Sequence, residues 1–176
     1  MKKSINLLFW GYLLVLVRIE FGIDLLPVPL GYFIIATGCL QLSRQYPIAQ
    51  KARNFATAMI FISFPTIFLD VYQQSHLLWQ SYALLLMIFQ LIVVYFILRL
   101  LEEVLYDYGT PILKQRLKFF TTVYIVGHLL YLTAVTFTPN FAFSGWLLFI
   151  SSFMFIIFIL DIIFLIVLRA VRKHVL

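Results

Sequence analysis

Apolar residues run through this chain in long blocks, and its few charged residues sit between them. The longest block, Phe119 to Leu160, is 42 residues without Lys, Arg, Asp or Glu, broken only by the turn residues Thr138, Pro139 and Asn140. A hydrocarbon core about 30 Å thick takes about 20 apolar residues per helix, so the block predicts two membrane-crossing helices folded into a hairpin. Along the whole chain the same pattern predicts six spans, at about residues 5–23, 30–43, 54–70, 77–98, 119–137 and 145–169.

Punctuation between the blocks refines these elements. Proline lacks an amide hydrogen and clashes with the preceding turn, so Pro27 and Pro29 should break the helix and leave residues 24–29 as an irregular outer entrance. Pro47 suits a helix start, and Pro65, two thirds of the way along span three, should kink it. Span four is expected to continue to Tyr108, with Arg99 and Glu103 paired at i,i+4. Gly109, Thr110 and Pro111 read as helix stop, N-cap and first helical position.

Composition places the chain among integral membrane proteins. It is 64% hydrophobic and 11% charged, with a mean hydropathy of +1.03, whereas soluble domains are about a quarter charged. The expected fold is one all-α domain, a six-helix transmembrane bundle. Lys2 and Lys3 before an apolar run resemble a signal peptide, but Arg18, Ile19 and Glu20 follow in place of small residues, so the run is expected to stay as span one.

Six spans put Lys2, Lys3, Arg44, Lys51, Arg53, Arg99, Lys114, Arg116, Lys118, Arg169, Arg172 and Lys173 on one side, leaving only Arg18 near the other. The positive-inside rule then predicts that both termini are cytoplasmic. This segregation also accounts for the net charge of +6 without a nucleic-acid partner. Trp79 and Trp146 fall at outer interfaces, and Tyr46, Tyr106 and Tyr108 at inner ones, as an aromatic belt requires. A single cysteine, Cys39, excludes an intramolecular disulfide and a multi-cysteine metal site.

Two groups in the charge-free hairpin are costly in hydrocarbon: His128 and Asp161. An Asp at a helix centre costs about 2.5 to 3.5 kcal/mol on insertion scales, so it needs a partner or a purpose. Thr121, Tyr124, His128 and Tyr131 recur at spacings of three and four and form a polar stripe on span five. Depth counted from the cytoplasmic charges puts His128 and Asp161 both near the midplane, whereas counting from the outer turn separates them by about 10 Å. Their contact is open at this point. Gln90 is a further polar residue in mid-span, and Ser63 and Thr66 are weaker ones. A second cluster, Arg18, Glu20, Asp24 and Asp70, is expected at the outer end, either as a polar pocket or as a charge network that fixes packing.

Enzyme motifs are poor. Ser144-Gly145 lacks the preceding glycine of a rhomboid-like pattern, and Glu102-Glu103 lacks the arginine expected after the paired glutamates of CAAX-type proteases. There is no H-E-x-x-H, no Gly-rich phosphate loop and no metal-ligand cluster. Neither an enzymatic activity nor a cofactor is expected.

The stretch Gly22-Ile23-Asp24-Leu25-Leu26-Pro27, followed by Leu30-Gly31-Tyr32 and Gly38, resembles a motif in small uncharacterised multi-pass membrane proteins of low-GC Gram-positive bacteria. Val28 stands where those sequences often carry a second acidic residue. The resemblance implies a bacterial cytoplasmic membrane and no assigned activity. The six-span layout is also similar to that of the substrate-binding subunits of energy-coupling-factor vitamin transporters, although span one lacks their small-residue face. The functional expectation is small-solute, ion or proton transport, or solute binding. The alternative is a non-catalytic membrane subunit or sensor that acts through a partner membrane protein. Expected partners are the lipid bilayer and a membrane protein or a second copy of this chain. A solute path predicts a water-reachable route connecting the outer acidic cluster to His128 and Asp161; a scaffold predicts them packed dry, with one lipid-facing surface carrying small or polar residues for a partner.

Overall fold

A computed structural model describes residues 1–17, 28–68, 77–108, 111–138 and 144–174. Among them the chain is helical without strands: α1 (Lys2–Leu16), α2 (Val28–Leu42), α3 (Pro47–Ile62), a 3-10 turn (Phe64–Ile67), α4 (Leu77–Tyr108), α5 (Pro111–Phe137) and α6 (Ser144–His174). The helices pack in a closed ring, each against its neighbours in sequence and α6 back against α1, with α4 also touching α6. Helices α4, α5 and α6 are long and apolar enough to cross a membrane; at 1.5 Å per residue they measure about 48, 40 and 46 Å.

Each end of the ring is tied by side chains. Ser4 Oγ donates to Gln41 Oε1 at 2.9 Å, joining the start of α1 to the end of α2. Tyr46 donates to Asp107 Oδ2 at 2.9 Å, bringing the α2–α3 connection to the end of α4. Burial and this hydrogen bond push the Tyr46 phenol above its ordinary range, so it remains a donor. The Lys114 ammonium sits 3.9 Å from the Tyr106 ring centroid across the α4–α5 turn. Arg172 donates to Asn6, fixing the end of α6 beside the start of α1. One end of the bundle therefore holds both ends of the described chain and the α2–α3 and α4–α5 connections. At the other end, Trp146 Nε1 donates to Thr138 Oγ1 at 3.3 Å and clasps α5 to α6.

The interior follows helical periodicity. On α1 the buried face is Ser4, Ile5, Leu8, Gly11, Tyr12 and Val15, and on α3 it is Ala49, Ala52, Ala56 and Met59. Helices α1 and α2 approach each other closely. A Cβ on Gly11 would lie 2.8 Å from the carbonyl oxygen of Gly31, and a Cβ on Gly31 would lie 2.8 Å from that of Gly11. The backbones are in contact there, and only glycine at both positions allows it. Helices α5 and α6 instead expose large apolar side chains, among them Leu129, Leu130, Leu147, Leu148, Phe155 and Ile166. Water would penalise such a surface at roughly 25 cal/mol per Å², whereas lipid would not, and a membrane location is compatible with it.

Several expectations change in detail. Pro29 does not break α2 but lies in its first turn, where backbone N–H groups have no helical acceptor in any case. Pro65 does more than kink span three: the α-helix stops at Ile62 and a 3-10 turn takes over. The Ile62 carbonyl accepts the Tyr82 hydroxyl of α4, while Ser63 and Thr66 donate to backbone carbonyls of their own segment. Arg99 pairs with Glu102 at 2.9 Å, and not with Glu103 as expected; on a helix both the i,i+3 and the i,i+4 residue are within reach. Pro47 and Pro111 each open a helix. Pro27, Gly109 and Thr110 lie outside the described residues.

Candidate functional site

Asp161 stands near the middle of α6 and is 6% exposed. Its Oδ1 accepts hydrogen bonds from the hydroxyls of Tyr12 on α1 and Tyr124 on α5, both at 2.6 Å. The two phenol oxygens are themselves 3.0 Å apart. His128 Nε2 lies 3.7 Å from the same Oδ1, beyond hydrogen-bonding distance but close enough for an ion pair when the imidazole is protonated. The contact that depth counting left open is therefore made.

Helical spacing builds this arrangement. Tyr124 and His128 are four residues apart and share one face of α5, with rings stacked at a centroid separation of 4.0 Å. His128 Nδ1 is 2.9 Å from the Tyr124 carbonyl oxygen. A carbonyl can only accept, so Nδ1 carries hydrogen and Nε2, facing Asp161, is the nitrogen that gains or loses a proton. Phe164, one helical turn beyond Asp161, packs edge-on against Tyr12 with centroids 4.7 Å apart. That contact fixes the Tyr12 ring, so its hydroxyl points at the carboxylate.

Next to this cluster lies a cavity of 360 Å³ between α4, α5 and α6. Its polar wall is Gln90, Tyr124, His128, Tyr131 and Asp161, and Met87, Leu91, Leu132, Met154 and Ile157 form the apolar remainder. A larger cavity of 510 Å³ lies between α3 and α4, lined by Lys51, Arg99, Glu102 and Glu103 among others. Charges of both signs line it, and Arg99 and Glu102 compensate each other. The smaller cavity is the better candidate, because among the described residues no Lys or Arg pairs with its carboxylate.

All five residues of the expected mid-membrane site, His128, Asp161, Tyr124, Tyr131 and Gln90, line one cavity. The expected outer cluster, Arg18, Glu20, Asp24 and Asp70, lies outside the described residues. Tyr12 is the site residue that sequence reading missed. Its signal was the buried spacing Leu8, Tyr12, Val15 on a short helix, the same spacing that apolar packing alone produces. Comparison with protein-family models, with curated proteins and with solved structures finds no match for this chain.

Proposed function

We propose that this protein binds or moves a small solute or cation across a bacterial plasma membrane, through the cavity between α4, α5 and α6. The observation that carries this reading is a carboxylate, Asp161, without a Lys or Arg partner among the described residues, in the wall of a 360 Å³ space. Ionisable groups inside membrane spans mark solute, ion and proton pathways. A cavity beside His128 and Asp161 supports such a path; the outer acidic cluster that the path would reach lies outside the described residues. Two tyrosine rings, a carboxyl group and two thioethers in one lining suit a small cationic or amphiphilic ligand.

The reading includes six spans with both termini in the cytoplasm. The side-chain ties from Ser4 to Gln41, Tyr46 to Asp107 and Asn6 to Arg172 support it, because they gather the basic residues of Lys2 to Lys173 at one end. Helix α1 measures about 22 Å as described and reaches span length only if it continues toward Ile23. Reporter fusions at Leu176 and within the 73–76 connection should report opposite sides of the membrane. The same side for both would overturn the six-span arrangement.

The transport reading is tested in proteoliposomes by uptake of protons, alkali cations and small protonated amines. A flux carried by the wild-type protein should fall at least tenfold in Asp161→Asn, which keeps the side-chain shape. Equal flux in the two proteins would remove the cavity from the pathway.

A further inference from the structure

Counting hydrogens in the Tyr12, Tyr124 and Asp161 cluster leads one step further. The three oxygens form a triangle with edges of 2.6, 2.6 and 3.0 Å, each short enough for an O–H···O hydrogen bond. With an ionised carboxylate there are only two hydrogens, one on each phenol. Both go to Oδ1, and the 3.0 Å edge between the phenols is left as two oxygens facing each other. A proton on Oδ1 supplies the third hydrogen. Each oxygen then donates once and accepts once around the triangle.

A second seat for that proton lies beside the first. His128 Nδ1–H is committed to the Tyr124 carbonyl, so the free lone pair of a neutral imidazole is on Nε2, 3.7 Å from Oδ1. The surrounding helices hold no competing charge among the described residues. Packed against the pair, α1 offers Tyr12 and α5 offers Tyr124 and Tyr131. Helix α4 offers the uncharged Gln90, and α2 carries the buried Tyr32. Ionised Asp161 with neutral His128 would leave one net negative charge in an apolar interior, which is expensive without a counter-charge.

We propose that Asp161 Oδ1 and His128 Nε2 together hold one exchangeable proton, reached through the cavity between α4, α5 and α6, and that its binding is coupled to the solute. The inference rests on the transport reading for the coupling alone. In the transfer, the Oδ1–H bond breaks and its electron pair stays on the carboxylate. A side-chain shift that closes the 3.7 Å gap to hydrogen-bonding distance lets the Nε2 lone pair take the proton, and the Tyr12 hydroxyl swings from Tyr124 back to Oδ1. No phenol ionises. The products are an imidazolium and a carboxylate side by side, with the charge of the cavity wall unchanged.

Infrared difference spectroscopy between acid and alkaline pH tests this on the full-length protein in nanodiscs, with isotope-labelled aspartate and parallel potentiometric proton counting. A protonated-carboxyl band should appear in the wild type and vanish in Asp161→Asn, with one proton fewer taken up per chain. In His128→Gln the band should persist with an altered frequency, because the second seat is gone. A band that survives in Asp161→Asn, or equal proton uptake by the two proteins, overturns the proposal. A band that behaves as expected while no solute crosses the bilayer leaves the proton site standing and removes the transport reading. Solute flux lost in Asp161→Asn without any protonation difference does the reverse.

Discussion

Replacing both Tyr12 and Tyr124 by phenylalanine should destabilise the bundle by about 3 kcal/mol or more, and adding Asp161→Asn to that double variant should restore over half of the loss. Each phenol donates to the Asp161 carboxylate at 2.6 Å, and a hydrogen bond to a charged group contributes about 1.5 to 3 kcal/mol. The pairwise values measured between membrane helices average nearer 0.6 kcal/mol. At alkaline pH, however, where the proton shared with His128 has left, both donors converge on one oxygen of a buried anion, and losing both leaves the charge with only a neutral imidazole nearby. A group left charged and unpaired in an apolar interior costs more than the bonds themselves contributed. Removing the charge should therefore help although it removes a further polar group. Unfolding midpoints in mixed micelles of detergent and denaturant measure this. A double variant within about 1 kcal/mol of the wild type, or one made worse by Asp161→Asn, would show that the phenols do not hold the carboxylate.

Gly11→Ala should destabilise the protein by about 2 kcal/mol, near the middle of the range for overpacked sites, while Gly127→Ala should be close to neutral. The added methyl at Gly11 would sit 2.8 Å from the Gly31 carbonyl oxygen and 2.9 Å from the Ile35 amide nitrogen. Both are backbone atoms of α2 and can yield only if the two helices separate. At Gly127 the nearest atoms are the Cδ1 carbons of Leu160 and Ile157, at 3.1 and 3.9 Å. These are side-chain ends that can turn aside. Alanine is also the better helix former by about 0.8 to 1 kcal/mol, which offsets part of the cost at Gly11 and nearly all of it at Gly127. The same unfolding measurement compares the two, and equal effects would mean that the α1–α2 contact is looser than its geometry.

What was legible in the sequence follows from how local each signal is. Helices α4, α5 and α6 could be read from uninterrupted apolar length, and the polar stripe of Tyr124, His128 and Tyr131 from spacings within one helix. Proline positions carried helix starts at Pro47 and Pro111, because the ring's fixed backbone angle suits a first turn. The depth of Pro65 was legible, but the exchange of α-helix for a 3-10 turn was not. The Ile62 carbonyl at which the α-helix stops is taken by Tyr82, twenty residues away. Tyr12 was hidden for the same reason. A tyrosine among Leu, Phe and Val on α1 looks like any packing aromatic until the helix 149 residues later supplies the carboxylate.

That separation has a consequence for biosynthesis. Tyr12 is made 149 residues before Asp161, so the phenol must wait until α6 arrives. Until then neither Tyr12 nor Tyr124 has its carboxylate acceptor, and Asp161 is the one acidic residue of its helix. Docking of α6 between α5 and α1 relieves all three at once and also brings Arg172 to Asn6. The carboxylate is thus a latch for the nascent chain: a truncated product ending before α6 would leave both hydroxyls without that acceptor on an open ring.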